Sequence, residues 1–533
     1  MANLGTLKML GFVKNIIRLV KIARILASHD ALFPLNWMSA TSGLVITAKI
    51  LSGFRVKRSV RSLRPGERLS IALQELGPSF IKFGQMLSTR PDLVGEIIAN
   101  DLSTLQDNLP SFSAEDARKT IEKQLEAKIE ELFDNFEDKP VAAASIAQVH
   151  FATTKLTPYE ISIAKKNNLP PTGRNVAVKV LRPGIEKAFE KDIDLFLWMA
   201  KLLEKYQPKL RRLKPIAIIE TFSESVHWEL DLRLESSAAA ELAENFSNDP
   251  KYLVPDVDWI RTSQRVLTTE RIDGIPIHNF RELSEAGHDL ESIVKRASEN
   301  FFLQVFRDGY FHADMHPGNA FILDDGTLAV VDFGIMGRID KNTRFYLADM
   351  LLGFVTGDYN RVAEVHFRAG YVPANEDKQA FKQAVRAIGE PIFGQSSSDI
   401  SIARLLSQLF QVTKEFNMET QPQLLLLQKT MLLAEGVGRQ LAPHTNMWQL
   451  AQPLIEEWMI ENRGPEARFA EVITNVFWAA ERLPTAITEL EKRLYQANDN
   501  SSKTNIKRNQ KNIVQWPIWL AISLLAILFL TKF

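Results

Sequence analysis

Hydrophobic and polar positions alternate in short stretches in the middle of the chain, which predicts β-strands there. Val176-Ala177-Val178-Lys179-Val180 is a β-branched run of this kind, and Leu181-Arg182-Pro183-Gly184 after it is typical of a turn. Two more short strands are predicted at 321–323 and 328–331, joined by a turn at 324–326. From about residue 345 to 495 the spacing predicts amphipathic helices instead. The pattern indicates an α+β protein.

The first 28 residues contain no Asp or Glu, and their basic and apolar side chains fall on opposite faces of a predicted helix. A basic amphipathic helix is typical of a membrane-surface element. A surface helix packed on its own domain and a mitochondrial targeting segment are the alternatives. The basic face contains Lys14, Arg18, Lys21 and Arg24, and the apolar face contains Phe12, Val13, Ile16, Leu19 and Ala23.

The segment 513–530 is uncharged and almost wholly apolar, with Trp516 and Trp519 near its start. A helix of this length can just cross a hydrocarbon core of about 30 Å, which predicts a transmembrane helix. A buried helix of a soluble domain is the alternative. The polar segment 497–512 before it is predicted to be a flexible linker. Because most flanking Lys and Arg residues precede the span, we expect the large N-terminal body in the cytoplasm.

Composition narrows the class of protein. At 533 residues the chain is long enough for a two-lobed catalytic unit with appendages, and 45% hydrophobic residues provide an ample core. The formal net charge is zero, which argues against a dedicated nucleic-acid-binding protein. The chain contains no cysteine, which excludes disulfides, zinc–thiolate sites and thiol nucleophiles.

A motif typical of phosphoryl transfer lies between residues 312 and 334. Asp314 is followed five positions later by Asn319, and Asp332-Phe333-Gly334 begins thirteen positions further on. Protein kinases use this spacing for a carboxylate that orients the acceptor and for two oxygen ligands that hold the metal on ATP. Lys179 on the predicted strand would then contact the nucleotide phosphates and need a partner Glu. The sequence therefore predicts a site for ATP and Mg²⁺.

Two features differ from ordinary protein kinases. The phosphate-covering stretch has no glycine and contains Val141, Ala142, Ala143, Ala144, Ser145, Ile146, Ala147, Gln148 and Val149. Ala313 also precedes the catalytic Asp, and a helical pattern begins near Asp340, where a peptide-docking platform would otherwise follow. These differences make a protein substrate a poor expectation. A zinc site at His312 and His316 is rejected, since no glutamate lies between them and Pro317 follows at once.

These motifs resemble those of the UbiB family, the atypical kinase-like proteins of ubiquinone biosynthesis. The resemblance covers about residues 70–345 and also rests on the motif Lys82-Phe83-Gly84-Gln85 and on the segment 228–235. It implies a two-lobed protein-kinase-like fold with an N-terminal helical extension, a helical C-lobe and a C-terminal transmembrane helix. It further implies the bacterial membrane-anchored type, which belongs to the inner membrane.

The resemblance also assigns roles. Asp314 would be catalytic, residues 141–149 with Lys179 and Glu235 would bind ATP, and Asn319 with Asp332 would hold Mg²⁺. Lys82 and Gln85 would lie in an extension that covers the peptide site, where Glu229 and Asp231 would contact it. The expected division is a basic segment 1–69, the extension 70–140, an N-lobe 141–272, a C-lobe 273–496, the linker 497–512 and the span 513–530.

Three functions are compatible with these expectations. The first is an ATPase or phosphotransferase that supports ubiquinone biosynthesis at the membrane by giving access to polyprenyl quinone precursors. The second is a nucleotide-binding scaffold that organises the biosynthetic enzymes without phosphoryl transfer, and the third is a kinase of a small lipid-like substrate. Expected partners are membrane lipid, quinone precursors and other ubiquinone biosynthesis proteins, with no nucleic acid. The sequence leaves open whether two copies form a homodimer.

Overall fold

The computed structural model describes a large part of the chain. The described residues are 2–32, 57, 60, 62–88, 94–103, 105, 110–166, 172–206, 211, 214–393, 412, 415–418, 421–443, 445 and 447–463. The chain divides into two compact units, Met1–Trp458 and Met459–Phe533, and the contacts given below lie in the first. Within the described ranges no helix is both long and apolar enough to span a membrane. The predicted linker 497–512 and span 513–530 lie outside these ranges.

Four helices begin the described chain. The first carries the predicted basic face; it exposes Ile16, Ile17 and Val20 and buries Ile22 among the helices of the same unit. It is therefore packed on its own unit and still presents apolar side chains to the outside. The second helix ends at Gly77, whose φ of 109° is readily adopted only by glycine. The helices are α1 Ala2–Ser28, α2 Pro65–Leu76, α3 Pro78–Ser88 and α4 Glu96–Ser103.

The N-lobe is built on an antiparallel sheet in the order β1-β3-β4-β6, with β2 paired to β3. Apolar side chains from one face of this sheet form a core with the two short helices that precede it. In chain order the elements are α5 Ala114–Leu125, α6 Ile129–Leu132, β1 Phe133–Phe136, β2 Ala142–Ala143, β3 Ala147–Thr154, α7 Pro158–Lys166, β4 Asn175–Leu181, α8 Ile185–Tyr206, α9 Pro215–Glu229, α10 Leu232–Asn245, β5 Tyr252–Leu253 and β6 Val266–Glu270.

The C-lobe carries two small sheets. One has the order β5-β10-β9-β7, and the other is the antiparallel pair β8 and β11. The predicted strands at 321–323 and 328–331 are confirmed as β9 and β10, and the turn between them contains Gly326 with a φ of 78°. The elements are β7 Ile275–Pro276, α11 Phe280–Glu285, α12 Leu290–Phe302, β8 Tyr310–His312, β9 Ala320–Ile322, β10 Leu328–Val330 and β11 Met336–Arg338.

Helices make up the rest of the described chain, as the apolar spacing after residue 345 predicts. Asp340 caps the first of them by accepting hydrogen bonds from the amides of Asn342 and Thr343. This helix therefore begins seven positions after Gly334, which confirms that little chain separates the Asp-Phe-Gly motif from the helical region. The helices are α13 Lys341–Thr356, α14 Tyr359–Arg368, α15 Lys378–Phe393, α16 Pro422–Leu441 and α17 Met447–Arg463.

Candidate active site

Lys179 reaches the site because of the alternation in strand β4. Val176, Val178 and Val180 are almost completely buried on one face of the sheet. Successive side chains of a strand point to opposite faces, so Lys179 lies on the other face. Its ammonium donates to both carboxylate oxygens of Glu235, at 2.7 and 3.0 Å. The predicted partner of this lysine is therefore in contact with it.

Glu235 is placed by helix α10. Asp231 caps the helix by accepting a hydrogen bond from the amide of Arg233 at 3.1 Å. The buried positions Leu232, Glu235, Ser236, Ala239 and Leu242 recur at helical spacing and form the inner face. A carboxylate on this face requires a partner because burying an unpaired charge is costly. Lys179 meets that requirement.

Asp332 joins the same cluster from the C-lobe. Its Oδ1 lies 3.0 Å from the Lys179 ammonium, although the two residues are 153 positions apart. Its φ is 66°, a left-handed conformation that non-glycine residues adopt infrequently. The next side chain, Phe333, is buried and makes an edge-to-face contact with His312. Burial of Phe333 therefore fixes the backbone that presents Asp332 to the lysine.

The three charged groups alter one another's protonation. Burial alone would lower the pKa of Lys179, but the carboxylates of Asp332 and Glu235 outweigh it and raise that pKa. The Lys179 ammonium holds the pKa of Asp332 well below its usual range, with a smaller contribution from Lys82. Burial raises the pKa of Glu235 to about 7 against the opposing effect of Lys179. Asp332 therefore stays ionised, and Glu235 is the carboxyl that protonates more readily.

Asp314 begins the loop after strand β8. Its amide donates to Nδ1 of the buried His312 at 3.2 Å, and Nε2 of that ring lies 3.3 Å from the carbonyl of Val331. With Nδ1 accepting, Nε2 carries the proton, and burial lowers the pKa of His312 and keeps the ring neutral. His312 therefore connects Val331, next to Asp332, with the loop that contains Asp314 through hydrogen bonds. It is an orienting residue of this loop.

Asn319 and Asp332 provide a donor set that fits Mg²⁺. The Asn319 amide nitrogen donates to the Asp314 carbonyl at 3.0 Å, so Oδ1 is the atom that it can offer to a cation. The amide of Val331 donates to the Asn319 carbonyl at 2.9 Å and brings the two segments together. Magnesium is commonly held by one or two protein oxygens together with substrate phosphates. In the part of the chain that the structure describes, no group of three or more His, Asp or Glu side chains forms a metal site by itself.

The alanine-rich stretch forms a hairpin of β2 and β3. The amide of Ala144 donates to the Ala147 carbonyl at 2.8 Å and closes the turn. Arg182 holds this turn, since its guanidinium donates to the carbonyls of Ala144, Ser145 and Pro110 at 3.0, 3.1 and 2.8 Å. Gln148 fixes the base of the hairpin through a hydrogen bond from the Phe112 amide to its side-chain oxygen. Arg182 was predicted only as part of the turn at 181–184, and its hydrogen bonds to the hairpin were not predicted.

The N-terminal extension approaches the site through helix α3. Lys82 lies 2.8 Å from the carboxylate of Glu229, and both side chains are mostly buried. Gln85 donates to the Leu105 carbonyl at a long 3.5 Å. Asp231 pairs with Arg233, and its expected contact with the extension stays a prediction. The extension therefore meets the N-lobe where Glu229 ends helix α9.

A lysine that was not predicted from the sequence contacts Asp314. Lys429 of helix α16 lies 3.1 Å from Oδ1 of Asp314, across 115 positions of sequence. The sequence carries a usable signal, because Lys429 is the single charged residue between Pro422 and Ala434. A lone charge in an apolar helical stretch requires a partner when the helix packs. Tertiary packing alone determines that this partner is Asp314.

Two family models match this arrangement. An ABC1 atypical kinase-like domain matches residues 104–366, which include the Lys179 cluster and the Asp314 loop. A UbiB helical domain matches residues 385–446, which include helix α16 and Lys429. The candidate site therefore draws residues from both matched regions.

Relatives that are similar over most of the chain identify its family. "Probable protein kinase UbiB" of Marinobacter nauticus is 46% identical over 76% of this chain and 72% of that protein. The protein of the same name from Pseudomonas entomophila is 39% identical over 92% of this chain and 90% of the relative. The chain belongs to the UbiB family. The UbiB protein of Aliivibrio fischeri strain MJ11 is 41% identical over 81% of this chain and 77% of its own length.

One solved structure is also similar to this UbiB-family chain. The complex of Rv3197 with erythromycin from Mycobacterium tuberculosis covers 76% of this chain and 97% of its own, with 24% identity and a TM-score of 0.46. The kinase-like fold expected from the sequence is confirmed by the family match over residues 104–366.

Proposed function

We propose that this UbiB-family protein binds ATP with Mg²⁺ and transfers its terminal phosphoryl group, and that this turnover supports ubiquinone biosynthesis at the membrane. The observation that supports it most directly is the Lys179 ammonium, which contacts Glu235 and Asp332 at 2.7 and 3.0 Å. Kinase-like sites need this lysine–glutamate pair and the metal-binding aspartate together. Here all three meet in one cluster.

Each residue has a defined task in this proposal. Lys179 contacts the nucleotide phosphates, and Glu235 holds its side chain in place. Asn319 and Asp332 hold Mg²⁺, which when bound neutralises charge on the phosphates. Asp314 orients the attacking hydroxyl group or water. The new bond forms to the terminal phosphorus while its bond to the bridging oxygen breaks, the electron pair leaves with ADP, and the proton of the attacking group passes to Asp314.

The acceptor in this proposal is water or a small lipid-like molecule and not a protein. Helix α13 begins seven positions after Gly334, so the described chain has no long segment there on which a peptide would dock. The proposal places the turnover at the bacterial inner membrane, where the 513–530 segment would anchor the chain and the exposed apolar residues of α1 would meet lipid. ATP-driven access to polyprenyl quinone precursors is the role proposed for this turnover.

A nucleotide-binding scaffold is the second candidate function. The observation that favours it is the hairpin without glycine. The carbonyls of its turn accept hydrogen bonds of ordinary length, 3.1 and 3.0 Å, from Arg182. A hairpin held in this way suits stable nucleotide binding as well as turnover. In this case ATP sets a conformation that assembles the biosynthetic enzymes and no phosphate is transferred.

ATP turnover by the full-length protein in vesicles separates the two candidates. We compare wild type with Asp332→Asn, which removes the metal-binding charge, and with Asp324→Asn, a matched change in the exposed β9–β10 turn. The proposal predicts turnover that falls roughly a thousandfold in Asp332→Asn and is unchanged in Asp324→Asn. Nucleotide binding without turnover in wild type would contradict the proposal and favour the scaffold.

A further inference from the structure

Lys429 occupies a position that the catalytic loop does not fill by itself. The residues after Asp314 are Met315 and His316, so no Lys or Arg follows the aspartate within the loop. His316 accepts a hydrogen bond from the amide of Gly318 and so shapes the loop. The Lys429 ammonium instead comes from helix α16 and contacts Oδ1 of Asp314 at 3.1 Å. Helix α16 therefore supplies the cation at the acceptor end.

The helix that carries Lys429 is firmly packed. Helix α16 lies against helix α12 and against strand β11, which pairs with β8 immediately before Asp314. Thr430, the neighbour of Lys429, is fully buried, and Leu441 at the end of the helix belongs to the C-lobe core. The backbone at Lys429 is thus fixed relative to the catalytic loop, and only its side chain needs to move.

The geometry points to a contact with phosphate. An attacking oxygen oriented by Asp314 must lie about 3 to 3.5 Å from the terminal phosphorus before reaction. A cation in contact with Asp314 is then close to the same phosphoryl group. An ammonium has three N–H donors. Among the described residues, Asp314 accepts one hydrogen bond from Lys429. Two donors are therefore available to phosphoryl oxygens.

We propose that Lys429 binds the terminal phosphoryl group of ATP while it contacts Asp314, so that the helical region completes the catalytic site. This inference rests on the proposed phosphoryl transfer and adds a catalytic residue to it. The Lys429 ammonium stabilises negative charge on the transferred group in the transition state. It also adds affinity for ATP that it does not add for ADP, because ADP lacks the group that Lys429 contacts.

The test compares nucleotide affinity and turnover in the full-length protein. Lys429→Met removes the charge but keeps a similar chain length, and Lys429→Arg keeps the charge. Arg439→Met is the control, because Arg439 pairs with Glu435 on the same helix and lies about 15 Å further along it. We expect Lys429→Met to weaken ATP binding about tenfold and ADP binding less than about twofold. Turnover should fall roughly a hundredfold, with the control near wild type.

Several outcomes would overturn the assignment. Equal losses of ATP and ADP affinity would mean that Lys429 only supports the fold, and faster turnover in Lys429→Met would mean that it blocks the acceptor end. An absence of turnover in wild type would reject the proposed function alone, because selectivity for ATP over ADP would still test Lys429.

A second measurement needs no variant. Acetylation of Lys429 in the wild-type protein by acetic anhydride should be slowed by ATP with Mg²⁺ and not by ADP with Mg²⁺. Equal protection by the two nucleotides would contradict the contact with the terminal phosphoryl group.

Discussion

The two ends of the candidate site are built in different ways. At the nucleotide end, Lys179, Glu235 and Asp332 form one charge cluster whose members all lie in the region matched by the kinase-like domain. At the acceptor end, Asp314 is paired with Lys429 from the region matched by the helical domain. The nucleotide end is thus contained in the general kinase-like domain. The acceptor end depends on the part that is specific to this family.

This difference indicates where specificity resides. The Lys179–Glu235 pair is mostly buried, at 17% and 9% exposure, although Asp332 is half exposed. A buried ion pair loses much free energy when one partner is removed, so this pair tolerates little change. The pair at the acceptor end is about one-third exposed on both sides, at 30% and 34%, so a ligand can enter between its members. A rigid nucleotide end and an accessible acceptor end suit an enzyme that uses one nucleotide with an unusual acceptor.

The largest expected effect is the loss of Lys179. In Lys179→Met two carboxylates remain close together without their cation, so we expect ATP affinity to fall about a hundredfold or more. The free energy of unfolding should also drop by about 3 kcal/mol, measured by denaturant titration. Lys187→Met, an exposed change on helix α8, is the control and should leave both quantities unchanged. Equal effects of the two variants would show that the Lys179 cluster contributes neither to ATP affinity nor to the free energy of unfolding.

Acid pH tests the stability of the helical region that follows the Asp-Phe-Gly motif. His366 is buried in helix α14, and burial lowers its pKa to about 4. The unfolded chain protonates near 6.5, so it binds more protons than the folded chain between pH 6.5 and 4 and stability falls as pH falls. The loss should reach about 2 kcal/mol near pH 4.5. His366→Phe, measured by thermal unfolding across this range, should remove that slope, and an unchanged slope would assign it to other groups.

Arg182 tests whether the hairpin belongs to the nucleotide end. In Arg182→Met the carbonyls of Ala144 and Ser145 lose their donor, so we expect ATP affinity to fall about tenfold. Arg118→Met is the matched control, since Arg118 lies over the ring of Phe136 in the N-lobe as Arg182 lies over that of Phe112. Isothermal titration with ATP measures both variants. Similar affinities for Arg182→Met and wild type would mean that the hairpin does not contact the nucleotide.

The smallest expected effect concerns the contact between the extension and the N-lobe. Lys82 and Glu229 are mostly buried and lie 2.8 Å apart. A double-mutant cycle with Lys82→Met and Glu229→Gln should give a coupling free energy of about 1 kcal/mol in unfolding experiments. A coupling energy indistinguishable from zero would mean that the extension is held by its apolar contacts alone.

Two members of the Lys179 cluster could be identified from the sequence, although their contact across 153 positions was not predicted. Lys179 lies on an alternating strand, and the Asp-Phe-Gly motif marks Asp332, so each residue is recognisable from its immediate neighbours. The predicted strands β9 and β10 were recognisable for the same reason, as a turn with glycine between two short apolar runs.

The acceptor end could not be predicted in the same way. Lys429 belongs to an amphipathic helix with no kinase motif, and only the packing of α16 on β11 brings it to Asp314. Arg182 was likewise assigned only to a turn, because its three carbonyl partners come from segments far from it in sequence. Contacts of this kind are determined by tertiary structure, since apolar periodicity predicts a helix but not its neighbour.

The most direct test of the account is the ubiquinone content of a strain that lacks this gene. The strain is restored with wild type, with Asp314→Asn or with Asp324→Asn, at equal protein level, and quinones are measured in lipid extracts. The account predicts that wild type and Asp324→Asn restore ubiquinone and that Asp314→Asn does not. Restoration by Asp314→Asn would contradict it and assign the protein a role as a scaffold without phosphoryl transfer.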